Sequence, residues 1–193
     1  VDFHLQIPIL LFAVALVFGL FINYIQGPRI DPAKLPLIRI LFPLVPLLIF
    51  SLVYCFTAPA FYAQHYYFTG NEELKELLLD TDKIFQKPAR IYRVENSLSR
   101  AVELNPKHAL AWGALGSAVL NRFFTELESS ETAARRALPY TRKALDLAPD
   151  FWLHHYTLAR IYGILEKDPE QVIAEARKAV EFGPMKPQAH TLL

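Results

Sequence analysis

The sequence contains little that could form a covalent or metal-stabilised framework. Of its 193 residues only one is a cysteine, Cys55, so neither a disulfide framework nor a cysteine zinc site can form within the chain. No phosphate loop, dinucleotide-binding glycine motif, His-Glu-x-x-His motif or nucleophile elbow is present. The six histidines are scattered along the chain. The sequence therefore predicts no catalytic residue, no cofactor and no metal site.

The chain also lacks an excess of charge of either sign. Its formal net charge is +1, and residues 64–193 contain equal numbers of acidic and basic side chains. Because neutralising phosphate groups requires an excess of lysine and arginine, the sequence excludes nucleic acid from the predicted partners.

Charge is absent altogether from two long stretches, residues 5–28 and residues 40–63. Roughly 20 apolar residues are enough to cross the hydrocarbon core of a bilayer. The residues between the two stretches include glycine and several prolines, which are typical of a tight loop. The sequence therefore predicts that residues 1–63 form a two-helix transmembrane hairpin, with spans at about 5–26 and 40–62.

Basic residues indicate which way this hairpin would face. Arg29, Lys34 and Arg39 cluster at the loop, whereas the outer ends carry no basic residue until Lys75. The positive-inside rule therefore predicts an integral protein of the bacterial inner membrane, with the helical domain outside the cytoplasm, in the periplasm. Membrane lipid and other transmembrane helices are predicted partners. Residues 64–91 are predicted to form an interfacial segment and a linking helix.

The remainder of the chain contains an internal repeat. Pro106, Pro149 and Pro184 end the similar runs AVELNP, ALDLAP and AVEFGP. Residues typical of a first repeat helix follow two of these prolines, namely Trp112, Leu115, Gly116 and Val119 after the first, and Leu158, Ala159 and Tyr162 after the second. This spacing resembles the tetratricopeptide repeat family over residues 92–193, with the last repeat truncated.

The resemblance to tetratricopeptide repeats implies a stack of antiparallel helix pairs, an α-solenoid. Together with the apolar stretches, it gives the predicted fold class, which is all-α, a transmembrane hairpin followed by a tetratricopeptide-like solenoid. The separation of the first two repeat prolines is longer than the usual period, and the surplus falls near residues 126–132. We therefore expect a local insertion in the turn of the first repeat.

Two capping patterns predict where helices begin. Asn105 precedes Pro106 and is expected to cap a helix whose first residue is the proline. Thr69 and Glu72 form a capping box, which predicts that a separate helix starts at about Gly70. The sequence thus places a helix boundary at each of these two points.

The family resemblance also implies a binding site. Tetratricopeptide repeats bind extended peptides along a groove lined by the first helix of each pair, and the matching positions here are Ser117, Asn121, Tyr156 and Arg160. Asn121 is expected to hold a peptide backbone and Arg160 a carboxylate. The alternative is that these four are ordinary solvated side chains. The predicted partner is a protein or a peptide.

The first residues carry a second resemblance. Asp2, Phe3, Leu5, Ile7 and Pro8 match a run found where the chain enters a late membrane helix in the O-antigen ligase and polymerase family. The resemblance implies that the chain is the carboxy-terminal arm of an enzyme that transfers glycans from a lipid-linked carrier. The catalytic residues of such an enzyme would lie upstream, so none is predicted here.

The sequence as a whole predicts a membrane-anchored interaction scaffold that presents its repeats to a protein partner. The alternative is a free-standing accessory or assembly subunit of a larger membrane complex. Because the chain starts with Val1 and ends in a segment typical of a helix start, we expect it to be part of a longer protein. The sequence leaves the identity of the partner and the oligomeric state open.

Overall fold

The structure is a computed structural model that describes Gly19 and residues 36–79, 87–125, 128–166 and 169–191. The chain divides into two compact units, Val1–Phe61 and Tyr62–Leu193. The regular elements of the described residues are all helices, and no strand occurs among them. The prediction of an all-α fold is therefore confirmed for this part of the chain.

The helices follow one another closely along the second unit. In chain order the described helices are α1 (Pro36–Leu79), α2 (Lys87–Leu104), α3 (Ala109–Leu120), α4 (Ser130–Leu147), α5 (Trp152–Ile164), α6 (Pro169–Phe182) and α7 (Pro187–His190), with a 3₁₀-helix (Asn121–Thr125) after α3. From α2 to α7 each helix packs against the next, and the most extensive contacts join α3 to α4 and α5 to α6. Helix α3 also contacts α5, so the first helices of these two pairs meet.

The structure corrects the prediction of a transmembrane hairpin. The first predicted span, residues 5–26, lies outside the described residues except for Gly19, and the second span, residues 40–62, forms part of α1. Among the described residues no helix is both long and apolar enough to cross a bilayer. This finding contradicts the predicted localisation as an integral membrane protein with an extracytoplasmic helical domain.

Helix α1 continues through the point where the sequence predicts a new helix. The Thr69 hydroxyl donates a hydrogen bond to the His65 carbonyl oxygen at 3.0 Å instead of capping a helix start. Gly70 lies inside α1 and allows α2 to approach closely, since a Cβ there would lie 2.9 Å from Leu98 Cγ. The predicted boundary at Gly70 is wrong because the Thr69 hydroxyl bonds to the preceding turn.

The C-terminal part of α1 packs on α2 through an apolar core with ion pairs at its edge. The buried side chains are Leu74, Leu77, Ile91, Val94 and Leu98. At the edge, Glu73 Oε1 lies 3.0 Å from Arg93 Nη2, and Glu76 Oε2 lies 3.2 Å from Arg90 Nη2. Ion pairs with exposed partners contribute up to about 1 kcal/mol each, so apolar burial supplies most of the stabilisation.

Three turns with one hydrogen-bond pattern precede α3, α5 and α7. They contain Pro106, Pro149 and Pro184, respectively. In each turn the residue before the proline donates its N–H to the carbonyl oxygen four residues earlier, Asn105 to Ala101 at 3.0 Å, Ala148 to Ala144 at 2.9 Å and Gly183 to Ala179 at 3.0 Å. The proline spacing of the sequence therefore corresponds to a repeated local structure.

A ring nitrogen locks each of these turns to the helix that follows. Six residues after the proline, a ring N–H donates to the prolyl carbonyl oxygen, Trp112 Nε1 to Pro106 at 2.9 Å, His155 Nε2 to Pro149 at 2.6 Å and His190 Nε2 to Pro184 at 2.9 Å. Because a carbonyl oxygen only accepts, each of these nitrogens carries the hydrogen. The third turn thus repeats the first two, although only the short helix α7 is described after it.

Helix α3 begins later than the sequence predicts. Its N-cap is His108, whose Nδ1 accepts the N–H of Ala111 at 3.3 Å. Asn105 Oδ1 instead accepts the N–H of Lys107 at 3.2 Å. The prediction of an N-cap at Asn105 is wrong because that side chain stabilises a separate turn before the helix.

Burial follows the same register as the turns. The residues that stand eight and five positions before each repeat proline are fully buried, and they are Leu98, Thr141, Ala176, Ala101, Ala144 and Ala179. Across the α3–α4 contact a Cβ on Gly116 would lie 2.6 Å from Thr141 Oγ1. Apart from Leu98 the residues at these positions are small, which allows the two helices of a pair to approach closely.

Candidate functional site

Helix α5 presents a row of three side chains, spaced one turn apart along one face. The ring centroids of Trp152 and Tyr156 are 6.3 Å apart, and Arg160 Cζ lies 5.8 Å from the centroid of the Tyr156 ring. Arg160 is partly exposed, and its guanidinium has no carboxylate within ion-pair distance in the described part of the chain. An aromatic ring thus holds a cation that has capacity for an anionic ligand.

The two predicted binding residues of the first repeat lie at the C-terminal end of α3. Asn121 Nδ2 donates to the Ser117 carbonyl oxygen at 2.7 Å, and Asn121 as a whole is only 4% exposed. Ser117 is partly exposed. The Asn121 amide therefore closes the end of its own helix, and Ser117 is the more accessible of the two side chains.

The structure brings the four predicted residues together in two pairs, one on each of two contacting helices. Ser117 and Asn121 form the pair on α3, and Tyr156 and Arg160 form the pair on α5. Two leucines on these helices were not predicted from the sequence, Leu110, which is 37% exposed, and Leu153, which is 36% exposed. Each leucine stands four residues after a repeat proline, and this shared position in the repeat could have been used to predict both.

Helices α3 and α5 meet where Gly113 faces the ring of His154. A Cβ on Gly113 would overlap this ring, so the approach requires glycine. His154 is 2% exposed, its ring centroid lies 4.8 Å from that of Phe151, and its Nε2 has no hydrogen-bond partner among the described residues. Burial lowers the pKa of His154 to about 4, and the adjacent His155 contributes to this shift in the same direction. The joint therefore contains a neutral imidazole near neutral pH.

His155 joins α5 to α6. Its Nδ1 lies 2.6 Å from Glu175 Oε2, and Glu175 Oε1 lies 2.9 Å from Lys178 Nζ. The hydrogen bond with His155 lowers the pKa of the Glu175 carboxyl, and Lys178 acts in the same direction. The other His155 ring nitrogen, Nε2, lies 2.6 Å from the Pro149 carbonyl oxygen. His155, at the position that Trp112 has in the first repeat, therefore links its helix both to the preceding turn and to α6.

A buried ionic cluster, which the sequence did not indicate, links α2 to the connection between α3 and α4. The Arg122 side chain is 8% exposed, and its Nη1 lies 3.5 Å from Glu95 Oε2 and 3.3 Å from Glu128 Oε1. Its Nη2 donates to the Tyr92 hydroxyl at 3.1 Å, and Arg136 also pairs with Glu128. Burial raises the pKa of Glu95, although the Arg122 guanidinium opposes this. The cluster attaches the longer connection of the first pair to α2.

Among the described residues no three side chains of His, Cys, Asp or Glu are grouped so that they could hold a metal ion. No protein-family model and no curated protein matches the chain. The run from Asp2 to Pro8 that resembles the O-antigen ligase and polymerase family lies outside the described residues. What the geometry offers is a surface on two contacting helices, with one cation, two aromatic rings and two exposed leucines.

Proposed function

We propose that the chain is a peptide-binding module of the tetratricopeptide type, whose ligand lies across the face of α3 and α5 that carries Ser117, Tyr156 and Arg160. We call these three residues, together with Leu110 and Leu153, the binding face. In this proposal α3–α4 and α5–α6 are two repeats of antiparallel helices, and α7 belongs to a third.

The repeated turns and the small residues at the helix contacts support the assignment to this repeat type. Gly116 faces Thr141 across the first pair, and Ala159, at the equivalent position of the second pair, is 1% exposed. A tetratricopeptide unit has a small residue at this position of its first helix and a proline after its second helix. The contact between α3 and α5 agrees with a groove lined by first helices.

The observation that carries the proposed binding face is the Arg160 guanidinium on the Tyr156 ring. Stacking restricts the long arginine side chain, so less conformational entropy is lost when a ligand binds. A guanidinium forms two parallel hydrogen bonds to a carboxylate, which gives both affinity and direction. Because Asn121 is buried and bonds to its own helix, we assign it to the end of α3 and not to ligand contact.

Peptide binding by the full chain tests this proposal. Short peptides are selected from a displayed random library, labelled with fluorescein and titrated in a fluorescence anisotropy assay. Arg160→Gln removes the charge of the binding face, and we expect the dissociation constant to rise about tenfold to a hundredfold, since a hydrogen bond to a charged group contributes about 1.5–3 kcal/mol. Arg177→Gln, at an exposed position of α6, is the matched control with an expected change below about twofold.

Two results would contradict the proposal. Equal effects of Arg160→Gln and Arg177→Gln on every selected peptide would show that the ligand does not use the binding face. A selection that yields no peptide with measurable affinity for the folded chain would contradict peptide binding itself.

A further inference from the structure

The two helices of the binding face carry far fewer charged residues than their packing partners. Helix α3 contains no Asp, Glu, Lys or Arg, and Arg160 is the single residue of these four types in α5. Helices α4 and α6 carry charges of both signs, for example Glu131 and Arg135 in α4 and Glu175 and Arg177 in α6. The binding face therefore has one positive charge and no acidic residue on its own helices. A negatively charged ligand group complements such a surface, and a positively charged one does not.

Exposed leucines stand at a fixed distance from the polar residues of the binding face. Leu153 lies seven residues before Arg160, and Leu110 lies seven residues before Ser117. Seven residues are close to two helical turns, so both members of each pair project from the same side of their helix. At 1.5 Å per residue, the apolar and polar positions are separated by roughly 10 Å along the helix axis.

We propose that the ligand is a peptide segment in the polyproline II conformation, with an apolar side chain and a carboxylate side chain three residues apart. The apolar side chain would contact Leu153 and Leu110, and the carboxylate would bind Arg160. This inference rests on the proposed function and names the ligand of the same face.

The repeat of the polyproline II helix matches the spacing of the binding face. This conformation has three residues per turn and rises about 3.1 Å per residue, so side chains at i and i+3 lie on one side about 9 Å apart. In a β-strand, side chains on one side recur at i+2 and i+4, about 7 Å and 13 Å away, which fits the distance less well. The expected ligand therefore differs in sequence spacing from one that binds as a β-strand.

Tyr156 lies between the two contacts and provides an aromatic side chain next to the intervening residues. It stands three residues after Leu153 and four residues before Arg160. Its ring centroid lies 6.3 Å from that of Trp152 and 5.8 Å from Arg160 Cζ. Grooves lined by aromatic rings bind polyproline II segments because the extended backbone loses little entropy when it docks. The binding face has this composition on α5.

Synthetic peptides of defined spacing test the inference on the full chain. Each is built from Ala, Ser and Pro and carries one Leu and one Glu, separated by two, three or four positions in both chain orders. We expect the best peptide with a separation of three to bind at least about fivefold more tightly than those with separations of two or four. Replacement of its Glu by Gln should weaken binding to the unchanged protein about tenfold.

Separate variants of the protein test the contact of the peptide carboxylate with Arg160 and the contact of the peptide leucine with Leu153. On Arg160→Gln, the Glu and Gln peptides should bind equally. On Leu153→Ala, the preference for Leu over Ala in the peptide should disappear, whereas Ile173→Ala, at an exposed position of α6, should retain it. Because the peptide is changed as well as the protein, a variant that folds poorly does not decide the outcome.

The results separate this inference from the proposed function. Equal affinities at all separations, or a Glu-to-Gln effect that survives Arg160→Gln, overturn the inference. If the affinity of library-selected peptides still depends on Arg160 in that case, the proposed function stands and only the polyproline II inference is overturned. If neither the designed nor the selected peptides bind, both are overturned.

Discussion

The helix pairs α3–α4 and α5–α6 share one scaffold and differ in the side chains that the scaffold presents. Both pairs follow the same kind of turn, and their second helices are buried at equivalent positions. On the binding face the first pair has Ser117 where the second has Arg160, and the first pair has Ala111 at the position equivalent to His154. The repeat therefore fixes the backbone, whereas proton uptake and, in the proposed function, the choice of ligand depend on the residues in which the repeats differ.

The largest effect is expected from His154→Ala, which gives the second pair the residue that the first pair has at the equivalent position, Ala111. The pKa of His154 is about 4 in the folded protein against an ordinary value of 6.5, so the unfolded chain binds this proton first as the pH falls. The stabilisation is fully present above pH 6.5 and is lost as the pH falls towards 4, and the loss approaches about 3 kcal/mol.

Urea denaturation of both proteins across this pH range measures the effect. The unfolding free energy of the natural chain should fall more steeply with acidification than that of the His154→Ala variant. Carboxyl groups such as Glu175 titrate in both proteins and cancel in the comparison. Parallel pH profiles would show that the neutral His154 ring is not a source of acid sensitivity.

The next largest effect is expected from Gly116→Ala, which gives the first pair the residue that the second pair has at the equivalent position, Ala159. A Cβ at this position would lie 2.6 Å from Thr141 Oγ1 and 3.3 Å from Thr141 N, so the helices must separate, at a cost of about 2 kcal/mol in unfolding free energy. The double variant with Thr141→Ala reproduces the alanine pair Ala159 and Ala176 of the second repeat. We expect it to recover at least half of the loss in thermal or urea denaturation.

A matched control for the glycine substitution is Gly163→Ala in α5. No atom lies within 4 Å of a Cβ built at Gly163, so the higher helix propensity of alanine should stabilise the protein by about 0.5–1 kcal/mol. Destabilisation by both substitutions to the same extent would contradict the view that Gly116 is required by the close approach of α4.

The smallest expected difference concerns the ring that locks each turn. His155→Phe removes the N–H donated to the Pro149 carbonyl oxygen and leaves Glu175 without its ring partner at a position that is 6% exposed. We expect a loss of about 2 kcal/mol, against about 1 kcal/mol for Trp112→Phe, whose hydrogen bond is exposed. Urea denaturation of the two variants measures these losses of unfolding free energy. A larger loss for Trp112→Phe would contradict the expectation that the His155 ring contributes more to stability.

Features that depend on local spacing were predictable from the sequence. The helical character and the turns at Pro106, Pro149 and Pro184 follow from proline, ring and small-residue positions that recur in the chain. The same offset of six residues would have identified His190 as the third locking ring. The family resemblance also assigned Tyr156 and Arg160 to one groove, and residues four apart do share a helix face.

Features that depend on tertiary contacts could not be predicted. Arg122 meets Glu95 and Tyr92 through the fold, across a long separation in sequence, and no local pattern indicates that pairing. Thr69 matched a capping box, but its hydroxyl bonds to the preceding turn while α1 continues. Asn121 matched a groove position, yet packing buries it at the end of α3. At Arg122 the deciding contacts are distant in sequence, whereas the Thr69 and Asn121 side chains each bond one turn back along the chain.

Amide hydrogen exchange of the full chain, with and without a selected peptide, tests the proposed function most directly. If ligand binds on the first helices of the pairs, as proposed, exchange should become slower in α3 and α5, around Ser117 and Arg160. Exchange in the outer parts of α4 and α6 should stay unchanged. Protection confined to α4 and α6, with none in α3 and α5, would contradict the assignment of the binding face.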